Sequence, residues 1–87
     1  MVGDPGIDFE TFVLSLSTSA MLHLGQIPNP DTNQPEPNLP LARQTIDILA
    51  LLQAKTKGNL TEREARVLDD LLYDLRMRFL EASKAGK

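Results

Sequence analysis

Apolar positions recur at helical spacing in three stretches of this chain, separated by a proline-rich break and a tight turn. Turned by about 100° per residue, Phe9, Phe12, Val13, Leu16, Ala20 and Leu24 fall on one face. The spacing predicts a first helix over Phe9–Leu24, with Asp8 as N-cap, Glu10 in the first turn and Gly25 closing the end. The opposite face holds Leu14, Met21 and Leu22 among Thr11, Ser15 and Thr18, and after Glu10 the helix has no formally charged side chain. A helix without charge on its outer side reads as covered on both sides.

The second run, LPLARQTIDILALLQAKTK over residues 39–57, predicts a helix that starts at the Asn38 cap, with Pro40 in its first turn where a missing N–H costs nothing. Leu41, Thr45, Ile48, Leu49, Leu52 and Thr56 make its central face, and Ile46 and Leu51 widen the apolar arc well beyond the usual stripe of about 100°. Arg43, Asp47 and Ala54 mark the outer side. Such an arc accommodates two neighbouring helices and leaves a surplus.

Gly58-Asn59-Leu60 then predicts a tight turn, and Thr61-Glu62-Arg63-Glu64 a capping box that opens a third helix over Glu62–Ala82. Its core stripe is Ala65, Leu68, Leu71, Leu72, Leu75, Phe79 and Ala82. Glu62–Arg66, Arg66–Asp70 and Asp74–Arg78 stand at i,i+4 on its wet side. A smaller stripe, Tyr73, Met77 and Leu80, points away from the core. So short a connection makes the second and third helices antiparallel neighbours.

Between the first two helices lies GQIPNPDTNQPEP, residues 25–37, whose four prolines favour turns and extended backbone over helix. Pro30–Asn33 fits a type I turn. Fully extended, this connection reaches about 40 Å, so it reads as a stiff tether. Residues 1–7, with two glycines and a proline, read as a flexible arm, residues 8–83 as one helical domain, and residues 84–87 as a flexible tail. The pattern as a whole is all-α: three helices, a second-to-third hairpin, and a shared core completed by homodimerisation.

Composition narrows the function classes. A net charge of −3 argues against nucleic acid or an anionic membrane surface as partner. No cysteine is present, which removes disulfides, thiolate nucleophiles and cysteine metal sites and suits a reducing cytoplasm. The start, MVGDPGIDFE, lacks the basic and apolar regions of a secretory signal, and no stretch is long and apolar enough to span a bilayer. The expected localisation is cytoplasmic.

Candidate chemistry is sparse. His23, the single histidine, follows Ser19 by one turn, but no acid completes a triad, so it is a weak ligand candidate and reads as structural. One histidine without cysteine makes no zinc tetrad, and no Glu-x-x-His pair occurs. Asp69, Asp70 and Asp74 lie within a turn of Arg66 and Arg78 and read as a solvated ion-pair face. No catalytic residue, metal site or cofactor is expected, and the glycines are too scattered for a phosphate loop. The expected interface between chains is Leu14, Met21, Leu22, Ile46, Leu51, Tyr73, Met77 and Leu80.

The strings DFETFVLSLSTSAMLHLG, LARQTIDILALLQAKTKGNLT and LLYDLRMRFLEA, in that order across residues 8–82, resemble the bacterial domain of unknown function 1844 family. The resemblance implies a small, cytoplasmic, all-helical protein and brings no activity, cofactor or catalytic residue. It also directs attention to polar positions that packing alone does not explain: Arg43, Gln44, Asp47, Lys55, Lys57, Asn59, Asp74, Arg76 and Arg78. Asp47 and Arg76 are expected to form a buried or interfacial ion pair that fixes helix register. The function expected is therefore a non-enzymatic, self-associating protein–protein interaction module. The alternative is a small apolar-ligand carrier or sensor, with a pocket near the first helix and His23.

Overall fold

The computed structural model describes residues 8–85. The expected arm at residues 1–7 and the last two residues lie outside that range. Three helices account for the order of the chain: α1 (Phe9–His23), α2 (Leu39–Lys55) and α3 (Glu62–Ala85). No strand forms among the described residues, and the protein is all-α.

Each boundary is set by a side chain that satisfies backbone groups the helix leaves open. The Asp8 carboxylate accepts the Thr11 N–H at 2.8 Å, and the Asn38 side chain accepts the Leu41 N–H at 3.2 Å. At α3 the box is reciprocal: Glu64 N–H donates to Thr61 Oγ1 at 3.1 Å, and Thr61 N–H donates to Glu64 Oε1 at 2.9 Å. Past α1, Gly25 takes φ +81°, so its N–H reaches the Leu22 carbonyl and the next N–H, from Gln26, reaches Met21. That is the Schellman ending, and it needs the left-handed residue. α2 stops at Lys55, two residues before the expected end, because Thr56 turns its hydroxyl onto the Leu52 carbonyl and Gly58 adopts φ +89°. α3 runs past the expected Ala82 through Ser83, Lys84 and Ala85, since no glycine or proline intervenes before Gly86.

The Pro-rich connection is not an extended tether. Asn38 N–H donates to the His23 carbonyl at 2.6 Å, so the segment leaves α1 and returns to it. Inside it the turn is wider than type I and begins one residue earlier than expected. Asn33, at φ 60°, donates its N–H to the Asn29 carbonyl, and Asn29 N–H donates to the Gln34 carbonyl at 2.9 Å. The Asn29 side chain also accepts the Asp31 N–H at 2.7 Å, and the Glu36 carboxylate ties Asn29 and Thr32 together. The asparagine offers the backbone a local partner and so moves the turn.

The core draws three apolar residues from each third of the chain: Val13, Ala20 and Leu24; Ala42, Ile46 and Leu49; Leu68, Leu72 and Leu75. Phe9, Leu16, Met21, Leu39, Leu60, Leu71 and Phe79 pack around them. Ser17 and Thr45 are the buried polar residues, and Thr45 is satisfied by donating to the Leu41 carbonyl at 3.0 Å. On α2 the buried arc is rotated from the expected one by roughly 60°, counting 100° per residue. Ala42, Ile46 and Leu49 face inward, while Leu41 and Ile48 reach solvent. Small Ala42 allows a close approach that Leu41 does not.

Polar contacts hold the start of α1 and the turn that follows it against α3. Arg63 grips the Glu10 carboxylate through Nε at 2.9 Å and Nη2 at 3.1 Å, and Arg78 Nη1 donates to Gln26 Oε1 at 3.0 Å. Gln53 on α2 hydrogen-bonds Asp69 on α3. The result is flat, with principal extents of 44 × 26 × 16 Å. Its radius of gyration of 14.2 Å exceeds the value of about 12 Å expected for a compact chain of this length.

Candidate functional site

Of three hollows on the surface of the described residues, the most apolar lies between α2 and α3. It holds about 300 Å³ and is lined by Arg43, Ile46, Asp47, Arg76, Phe79 and Leu80. Helical periodicity assembles it. Arg43 and Asp47 stand one turn apart on α2, while Arg76 and Leu80 do so on α3. Ile46 and Phe79 supply the floor because they belong to the core and its margin. Tyr73, Arg76, Met77 and Leu80 follow an i, i+3, i+4, i+7 pattern and so form one arc of α3 beside the hollow. Tyr73 is 71% exposed and Leu80 54%. The rim therefore carries an acid and two bases around apolar surface open to water.

Asp47 and Arg76 both face this hollow and are both exposed, but no ion pair joins them among the described residues. The expected buried form of that pair is thus corrected. The expected interface residues also divide. Ile46, at 6% exposure, is a core residue, because the buried arc of α2 is turned toward it. Met21 packs against the core from the edge of α1, and Leu22 is half-buried. Leu14, Leu51, Tyr73, Met77 and Leu80 are exposed. Phe12, Leu41 and Ile48 join them as exposed large apolar residues that periodicity had assigned to internal faces.

His23 is half-buried at the end of α1, and its carbonyl closes the Pro-rich loop. None of the three hollows is lined by His23 or by any other residue of α1, so the pocket expected near that helix is not among them. Ser19 lies on the exposed side. Of the i,i+4 pairs expected on α3, Asp74–Arg78 forms at 2.8 Å. The Glu10–Arg63 pair spans 53 residues and carries no periodic signal in the sequence.

Two carboxylates have lowered pKa values. Asp8 is lowered first by the Thr11 backbone N–H and then by the Thr11 side chain. Glu10 is lowered by the hydrogen bond from Arg63 and by its charge, while the same contact raises Arg63. Both stabilise the folded ends of helices and lie away from the α2–α3 hollow. Among the described residues no cluster of three or more His, Asp or Glu converges, and no helix is long and apolar enough to cross a membrane.

The three-helix chain, with its reciprocal box before α3 and the polar groups around the α2–α3 hollow, matches the family model described as Domain of unknown function (DUF1844) over residues 6–81. The chain belongs to that family. The DUF1844 match takes in all three helices up to Glu81 together with the connection between α1 and α2. No curated protein and no solved structure matches the chain.

Proposed function

We propose that this DUF1844 chain is a non-enzymatic interaction module that works as a homodimer, with α2 and α3 as an antiparallel hairpin at its centre. The hairpin reading rests on paired positions: Gln53 meets Asp69, while Arg43–Asp47 share a hollow with Arg76–Leu80. Residues earlier on α2 thus accompany residues later on α3.

One observation carries the dimer. Among the described residues eight large apolar side chains are exposed, Phe12, Leu14, Leu41, Ile48, Leu51, Tyr73, Met77 and Leu80, and the last three gather on one arc of α3. Size-exclusion chromatography with light scattering at micromolar concentration tests the reading. A mass of twice the chain supports it, and a strict monomer overturns it.

A further inference from the structure

The geometry points to the α2–α3 hollow as the twofold contact of that dimer, with Asp47 of one chain paired to Arg76 of the other. This deepens the self-association proposed above and rests on it. The occupant is a second copy of the same chain, and charge complementarity is the reason. In a twofold contact the same patch meets itself, so residue i touches residue j and j touches i. A patch with one sign of charge repels its own copy. This rim instead carries Asp47 beside Arg43 and Arg76, and among the described residues none of the three is in an ion pair. Two nearby acids already have partners: Asp74 is held by Arg78, and Asp69 by Gln53. Apolar shape is supplied on both sides of the contact. Ile46, Phe79 and Leu80 line a depression, and Tyr73 and Met77 project from the adjoining arc of α3. In a two-fold contact each chain offers the depression to its partner's projecting arc. Leu14, exposed on α1, lacks this mixed rim and stands among Thr11, Ser15 and Thr18.

Pairing between chains has a signature that pairing within a chain lacks. Reversing one partner, as in Asp47→Arg or Arg76→Glu, sets like charges opposite each other twice in the homodimer. When the two reversed chains are mixed, each variant position faces its opposite charge and the other pair is native. Sedimentation equilibrium on the full chain at micromolar concentration reads this directly. The expected result is a dimeric parent, two single variants whose dissociation constant rises about 100-fold or more, and a dimer recovered in the equimolar mixture. Singles that remain dimeric, or a mixture that stays monomeric, overturn the assignment while leaving self-association standing. A monomeric parent overturns both. Met77→Glu gives a second reading on the same face should a reversed chain fail to fold. Loss of the dimer supports the assignment, and a dimer that survives Met77→Glu but is broken by Leu51→Glu overturns it.

Discussion

Replacing Gly25 by alanine isolates how the chain closes the loop between α1 and α2. Two separate costs arise there. The residue sits at φ +81°, where an L side chain is disfavoured by about 1–2 kcal/mol. The methyl group would also stand 3.2 Å from Cβ of Pro37, tighter than ordinary contact. Pro37 adjoins Asn38, whose N–H is bonded to the His23 carbonyl, so yielding there disturbs the closure itself. Gly58 is the internal control. It has φ +89° but open space where a Cβ would go. A Gly→Ala change also restricts the unfolded chain, which returns about 0.4–1 kcal/mol in both variants. The net loss expected is about 1 kcal/mol for Gly58→Ala and about 2–3 kcal/mol for Gly25→Ala once the overpacked contact is added. For a chain of this size that corresponds to roughly 4–8 °C and 10–20 °C in melting temperature. Thermal melts followed by circular dichroism at one fixed concentration compare the two, since dimerisation makes melting concentration-dependent. Equal losses, or a smaller one at Gly25, would refute the closed loop.

Other changes probe the remaining parts of the argument. Leu49→Ala, at a fully buried position, should cost about 2–5 kcal/mol in urea denaturation; Leu41→Ala should cost far less, and the reverse order would restore the arc of α2 that periodicity suggests. Thr61→Ala removes the oxygen that caps Glu64 N–H and should cost about 1 kcal/mol without changing the mass seen by light scattering. Acid should destabilise the fold, because the lowered pKa values of Asp8 and Glu10 mean that the unfolded chain binds more protons there. Their contribution is fully present above the ordinary carboxylate range of about 4 and fades as pH falls through the lowered values. Glu10→Gln should flatten the urea midpoint against pH over that window, and an unchanged slope would count against the Arg63 clamp.

The three helix starts and the end of α1 were legible because each is written in local chemistry. Asp8, Asn38 and the Thr61–Glu64 box cap within three residues of themselves, and Gly25 and Gly58 are the residues that left-handed endings favour. The buried stripe of α3 was legible for a similar reason, since charged residues separate it from the smaller stripe of Tyr73, Met77 and Leu80 and leave it the longer apolar arc. α2 is different. Leu41, Ile46, Ile48, Leu49, Leu51 and Leu52 nearly surround it, so periodicity has several arcs to choose from, and the choice is made by close packing at Ala42, which hydrophobicity ranks low. The loop closure depends on a backbone bond from Asn38 to His23, and the α1–α3 clamps on pairs more than 50 residues apart. Neither has a local signature. The candidate site was half legible: Tyr73, Met77 and Leu80 stood out as a stripe, but that Asp47 and Arg76 line a hollow beside it depends on how α2 sits against α3.

Exposed leucines alone would not argue for a partner, because more than half of any folded surface is apolar and single residues on it need no explanation. What matters is arrangement. The flatness of the chain leaves each helix two sides to cover with only two neighbours, and α2 feels this most, keeping Leu41, Ile48 and Leu51 in water although its opposite arc is fully buried. On α3 the surplus is not spread but collected into one arc beside a hollow whose rim carries charges of both signs. A bland account, in which these residues are incidental, predicts that a charge placed at any of them leaves the assembly unchanged. A twofold contact predicts that the effect is local: large at Met77, Asp47 and Arg76, slight at Leu14. The two accounts therefore differ in where a substitution acts, and that difference survives even if every variant loses a little stability.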